Sequence, residues 1–108
     1  MAIYQTGAYR VKATAVGKVK RAIEDFVRYV KENEPGTLMY LAWQEQADPT
    51  SFVHLFIFEN EDAQTRHGES PAVKRFESIY GPELVSEHVV FTDYHMIAGK
   101  REGAGRRP

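Results

Sequence analysis

A chain of 108 residues with 43% hydrophobic and 27% charged residues has the profile of one compact globular domain, small enough to gain from burying further surface in a partner. Its formal net charge of −1 supplies no global field, so neither nucleic acid nor an anionic membrane is expected as a partner. The lack of cysteine excludes disulfides and thiol chemistry; with no apolar signal core after Met1 and no run approaching membrane-spanning length, it suits a cytoplasmic setting.

The first strand is expected from Ala8 to Val16, where Tyr9, Val11, Ala13 and Ala15 alternate with Arg10, Lys12 and Thr14, and Gly17 ends it. From Lys18 to Glu32, Val19, Ala22, Ile23, Phe26, Val27 and Val30 recur at helical spacing and form a single apolar stripe. Pro35-Gly36 stops that helix. A second strand is expected from Thr37 to Gln46, and the turn chemistry of Ala47-Asp48-Pro49-Thr50 joins it to a third strand as a hairpin. Asn60 suits the N-cap of a short helical turn through Ala63 and Arg66. Ser70-Pro71 opens another helix, with serine as cap and proline in the first turn, where its missing donor costs nothing. Val73, Phe76, Ile79 and Tyr80 give that helix its apolar face until Gly81-Pro82, and a last strand is expected from Ser86 to Ile97.

The third strand, Ser51 to Phe58, is the most informative segment. Successive side chains alternate, so Phe52, Phe56 and Phe58 share one face while Val53, Leu55 and Ile57 share the other. A sheet that is apolar on both faces needs a cover on each. Two helical segments provide one layer, and the simplest second cover is another copy of the same sheet. The expectation is an α+β, ferredoxin-like βαββαβ antiparallel sheet with helices on one face, forming a homodimer through sheet-to-sheet packing. Residues 1–98 read as a single domain without internal repeats. The segment 99–108, ending Gly105-Arg106-Arg107-Pro108, reads as a flexible basic tail or an arm that contacts an acidic partner.

Several residues together resemble a family. Glu34-Pro35-Gly36-Thr37-Leu38-Met39-Tyr40 is similar to the turn and following strand of antibiotic biosynthesis monooxygenase domains. Asp48-Pro49, Phe52-Val53, Ala63, His67 and Ser70-Pro71 then follow at the separations such domains use. The resemblance spans Tyr9 to Ile97 and implies a dimeric α+β barrel of two ferredoxin-like protomers. The chain departs from the family in having Phe56 where many members carry glutamate, Phe58 where tryptophan or tyrosine is common, and Ala72 and Val73 where a histidine and an aromatic are common. The haem-degrading branch uses a histidine on the second long helix, and Pro71 to Tyr80 contains none, so haem cleavage is not expected.

The resemblance implies cofactor-independent oxidation of a quinol-like or polyphenolic small molecule by dioxygen, with no cofactor and no metal. Such chemistry needs an apolar pocket, a proton acceptor and donors that hold the reacting oxygen. His67 is the expected acceptor, since histidine changes charge near neutral pH; a role in bonding helix-terminal carbonyls is the alternative. It is expected in a connection, Arg66-His67-Gly68, between helical segments. Tyr40, Trp43, His54, Phe58 and Phe76 are the candidate pocket residues. Tyr40 and Trp43 fall on opposite strand faces, so at most one can line a given cavity, and both serve equally as packing groups. His54 shares a face with Phe52 and Phe56, which suits a satisfied core or interface histidine as well as a polar contact in an apolar wall. His88 and His95 lie an odd number apart on the expected last strand and cannot jointly chelate a metal there. Glu59, Glu61 and Asp62 are accounted for by the dipole of a helix start. Isomerase or lyase chemistry using the same histidine, and a non-catalytic ligand-binding module, remain as alternatives.

Overall fold

Eight consecutive residues without glycine or proline, Ser51–Phe58, form β3, one of the two inner strands of the sheet. In the computed structural model, which describes residues 1–100, β1 (Ile3–Arg10) pairs antiparallel along its whole length, from Ile3 opposite Phe58 to Arg10 opposite Ser51. β2 (Thr37–Gln44) pairs on the other side of β3, with a bulge between Thr37 and Met39, and β4 (Val90–Tyr94) pairs outside β1. The order is β2-β3-β1-β4, an antiparallel ferredoxin-like sheet. Most of the segment expected to form a basic tail, residues 101–108, lies outside the described residues.

Three helices cover one face. α1 (Val16–Asn33) buries Val19, Ala22, Ile23, Phe26 and Val30 of the predicted stripe, with Val27 half-buried at its margin. α2 (Glu61–Glu69) starts where the Asn60 side chain accepts the Ala63 N–H at 2.9 Å, and α3 (Pro71–Tyr80) starts where Ser70 Oγ accepts the Val73 N–H at 3.1 Å. Phe26 on α1 stacks on Phe76 of α3 at 5.0 Å between ring centres, which closes the helical layer over the sheet.

Three expectations need correction. β1 lies about five residues earlier than its alternation suggested. Ala13–Ala15 forms a 3-10 turn and Gly17 sits in the first turn of α1, because alanine-rich sequence joins a helix more readily than a strand and β3 demands an eight-residue partner. The last strand is shorter than expected. Val85 instead donates its N–H to the Arg10 carbonyl, Leu84 bridges Val11, and the chain breaks away before Val90, so His88 and His95 lie on either side of β4 rather than within it. His67 belongs to the last turn of α2 and not to a connection.

The sheet's other face carries the alternate set. Phe52, His54, Phe56 and Phe58 are buried under the helices, whereas Val53, Leu55 and Ile57 are half-buried. Around them stand Leu41 and Trp43 on β2 and Val90 and Tyr94 on β4, all exposed. Trp43 is 51% exposed and pairs with Val53, so it belongs to this open face.

Candidate active site

Glu34 ends α1, and Pro35-Gly36 turns the chain directly into β2. The turn is tight: Thr37 N–H reaches the Glu34 carbonyl at 3.0 Å and Glu59 N–H reaches the Gly36 carbonyl at 2.8 Å. A Cβ on Gly36 would stand 2.7 Å from Ala63 Cβ, so the absence of a side chain here lets α2 lie against the start of β2. Gly36→Ala must therefore displace α2. We expect a loss of about 1–3 kcal/mol in stability, measurable by urea denaturation, with loss of the contact described next.

That contact joins Glu34 to His67. His67 Nδ1 lies 2.7 Å from Glu34 Oε1, which also accepts the Thr37 hydroxyl at 2.8 Å. Only 13% of the His67 side chain and 12% of the Glu34 side chain are exposed. A carboxylate can only accept, so the imidazole proton sits on Nδ1 and Nε2 is left as the basic nitrogen. Nε2 has no hydrogen-bond partner among the described residues, and the same holds for the buried Glu34 Oε2. Rings surround the imidazole: Phe58 at 5.1 Å, Phe26 at 5.6 Å, Tyr40 at 5.9 Å and Phe56 at 6.1 Å between centres.

His67 borders a cavity of about 210 Å³ between sheet and helices, which Tyr40, His54, Phe58 and Phe76 also line. An apolar cavity of about 150 Å³ can hold benzene, so this one suits a compound of one or two rings. Four of the five expected pocket residues thus converge with His67. Trp43 does not; it lies through the sheet on the open face.

Deeper in the same wall, His54 is bonded at both nitrogens. Its Nε2 lies 2.8 Å from the Tyr9 hydroxyl and its Nδ1 lies 2.7 Å from the Tyr40 hydroxyl. Burial lowers the His54 pKa to about 4, so the ring is neutral at pH 7. Burial also raises Tyr9 and Tyr40 well above the usual phenol range and pushes Tyr80 up to about 12. Among the described residues, no three His, Cys, Asp or Glu side chains converge as a metal centre requires.

Glu34 and Tyr9 are the residues that sequence reasoning left out. Glu34 had a readable signal: a carboxylate at a helix C-terminus opposes the helix dipole, and so invites a search for a compensating partner. Tyr9 was placed on a strand face, but nothing local shows that it reaches across to His54.

A sheet of order β2-β3-β1-β4 under three helices, with an aromatic cavity between the layers, defines the ferredoxin-like α+β class. The family model for antibiotic biosynthesis monooxygenase matches residues 2–78, and the chain belongs to that family. Among solved structures, an antibiotic biosynthesis monooxygenase candidate from Bacteroides thetaiotaomicron superposes with a TM-score of 0.85 at 15% identity, over 94% of this chain and 95% of that one. A candidate from Caulobacter crescentus gives 0.82 at 21% identity, over 90% and 91%. Rv0793 from Mycobacterium tuberculosis gives 0.82 at 13% identity, over 94% and 100%. At such identities these likenesses speak for the fold alone. No curated protein matches the sequence.

Proposed function

We propose that this chain is a cofactor-independent monooxygenase that oxidises a quinol-like or polyphenolic small molecule, using dioxygen and no flavin or metal, and that it works as a cytoplasmic homodimer. The observation that carries this reading is a single arrangement: His67, held by Glu34 through Nδ1 and with Nε2 left without a partner among the described residues, lines a half-open, mainly aromatic cavity. His67 takes the proton of the substrate hydroxyl and becomes an imidazolium paired with the Glu34 carboxylate. The electron-rich anion gives one electron to dioxygen, and the two radicals combine to form a carbon–oxygen bond. Breaking the O–O bond of the resulting hydroperoxide, with loss of the hydrogen on that carbon, leaves a carbonyl and releases water. One oxygen atom enters the product, the other leaves as water, and all four electrons come from the substrate. The catalytic group has only to accept and return protons.

The test is oxygen consumption with a panel of one- and two-ring dihydroquinones, run beside His67→Ala. Uptake that depends on His67 supports the reading. Absence of uptake, together with deuterium exchange into a hydroxyketone, moves the assignment to an isomerase or lyase; saturable binding without either moves it to a binding module.

The open sheet face supports the dimer. Val53, Leu55 and Ile57 form an apolar centre flanked by Leu41, Trp43, Val90 and Tyr94, continuous enough to require a cover. Leu55 lies on β3, opposite Thr6 on β1 and Leu41 on β2. Leu55→Asp puts an unpaired charge at the middle of that face. Light scattering after gel filtration is expected to read twice the protomer mass for the parent chain and a single protomer mass for the variant. A monomeric parent would overturn the dimer.

A further inference from the structure

The hydrogen bonds of Tyr9, His54 and Tyr40 do not use all the protons these groups carry. Three adjacent strands bring them together. Opposite His54 stand Gly7 on β1 and Ala42 on β2, the smallest residues available. Tyr9 and Tyr40 each sit two residues along their strands from these partners, towards opposite ends of β3, and their phenols reach over the small residues to the two imidazole nitrogens.

A neutral imidazole has one N–H and one bare nitrogen. One phenol must therefore donate to the bare nitrogen, while the other accepts from the N–H. The three groups carry three protons, two phenolic and one on the ring, and only two hydrogen bonds connect them. The accepting phenol keeps its own O–H, and neither phenol oxygen has another partner among the described residues. Both tyrosines and His54 line the cavity that His67 borders. Phe26, Phe52, Phe56, Phe76 and Tyr80 pack around these rings, and the other polar side chains that line the cavity, Gln5, Gln64, Glu77 and Tyr80, bond to neither phenol.

We propose that the Tyr9–His54–Tyr40 chain presents its third proton to the cavity and forms a subsite for an acceptor oxygen of the ligand, separate from the His67–Glu34 couple. The ligand class is thereby narrowed to aromatic compounds with two oxygen functions, one deprotonated at His67 and the other, a carbonyl or phenolate, held by the phenol chain. The two imidazole tautomers reverse every donor and acceptor along the chain and place the free O–H on one tyrosine or on the other; passing between them takes one proton in at the first phenol and releases one at the second. The subsite can therefore follow an oxygen as it changes from hydroxyl to carbonyl. This inference rests on reading the cavity as a substrate site, but not on oxygen chemistry.

The probe is 1,4-naphthoquinone, with naphthalene as the matched compound that has no acceptor. Infrared difference spectra of the bound quinone are expected to show a carbonyl stretch lowered from its value in an alkane solvent. In Tyr9→Phe/Tyr40→Phe that lowered band is expected to disappear and quinone affinity to fall about 3- to 10-fold, the worth of one neutral hydrogen bond. Naphthalene should bind parent and variant equally, which shows that the cavity has survived the substitution. An unshifted carbonyl in the parent chain, or a lowered band that persists in the double variant, would overturn the subsite. Neither result depends on turnover: a chain that binds quinone this way yet consumes no oxygen with dihydroquinones would sink the monooxygenase reading and keep the subsite.

Discussion

His67→Ala is expected to lower kcat on a dihydroquinone about 100- to 10,000-fold, the usual contribution of a positioned general base, while leaving KM little changed. The base acts only when the substrate proton is transferred, so its loss falls on the transition state and not on ground-state binding. Glu34→Gln should reduce kcat at least about tenfold through a different route. The amide can still meet Nδ1 but cannot balance the positive charge that His67 acquires inside a box of phenylalanine and tyrosine rings at 5.1 to 6.1 Å. Because both residues serve one proton, His67→Ala/Glu34→Gln should be no slower than His67→Ala alone. Steady-state oxygen-electrode rates on the four proteins decide this. Effects that multiply in the double variant would show that Glu34 acts elsewhere, and an active His67→Ala would remove the histidine from the mechanism.

The parts of this site that sequence exposed are those governed by local rules. Alternation along Ser51–Phe58 is a period-two pattern with no competing reading, and it separated the buried phenylalanines from Val53, Leu55 and Ile57 as the structure does. Asn60 and Ser70 are caps whose side chains act within three residues, so their roles were visible in the order of residues alone. His67 was visible as a candidate because it is a histidine at a helix end beside a family-like motif. Its orientation was not visible. It depends on Glu34, separated by 33 residues, and on Gly36 allowing α2 to close on the turn. The same limit explains β1. Residues 8–16 alternate plausibly, and only the length of β3, a tertiary fact, assigns Ile3–Arg10 as its partner and returns Ala13–Ala15 to the helical side. Trp43 and Tyr40 illustrate the intermediate case. Their opposite faces could be read from spacing, but which face held the cavity required the helices to be placed.

His54 should make the fold sensitive to acid. Free histidine titrates near 6.5, and burial lowers the folded-state value to about 4. The folded chain therefore refuses a proton that the unfolded chain accepts throughout that window. The stability linked to His54 is fully present above pH 6.5 and is lost as pH falls towards 4, by as much as about 1.4 kcal/mol per unit and about 3 kcal/mol in all. The groups bonded to the ring do not blur the effect, because Tyr9 and Tyr40 stay protonated across the whole interval. Carboxylates elsewhere do titrate there, so the informative quantity is the difference between the parent chain and His54→Gln. Urea denaturation at intervals from pH 7 to 4 should show the parent ahead at neutral pH and its advantage shrinking by about 3 kcal/mol as acid is added. A difference independent of pH would mean that the imidazole is protonated within the fold. In that case both of its nitrogens would donate, each tyrosine would keep its own O–H free, and the chain would hold two spare protons instead of one.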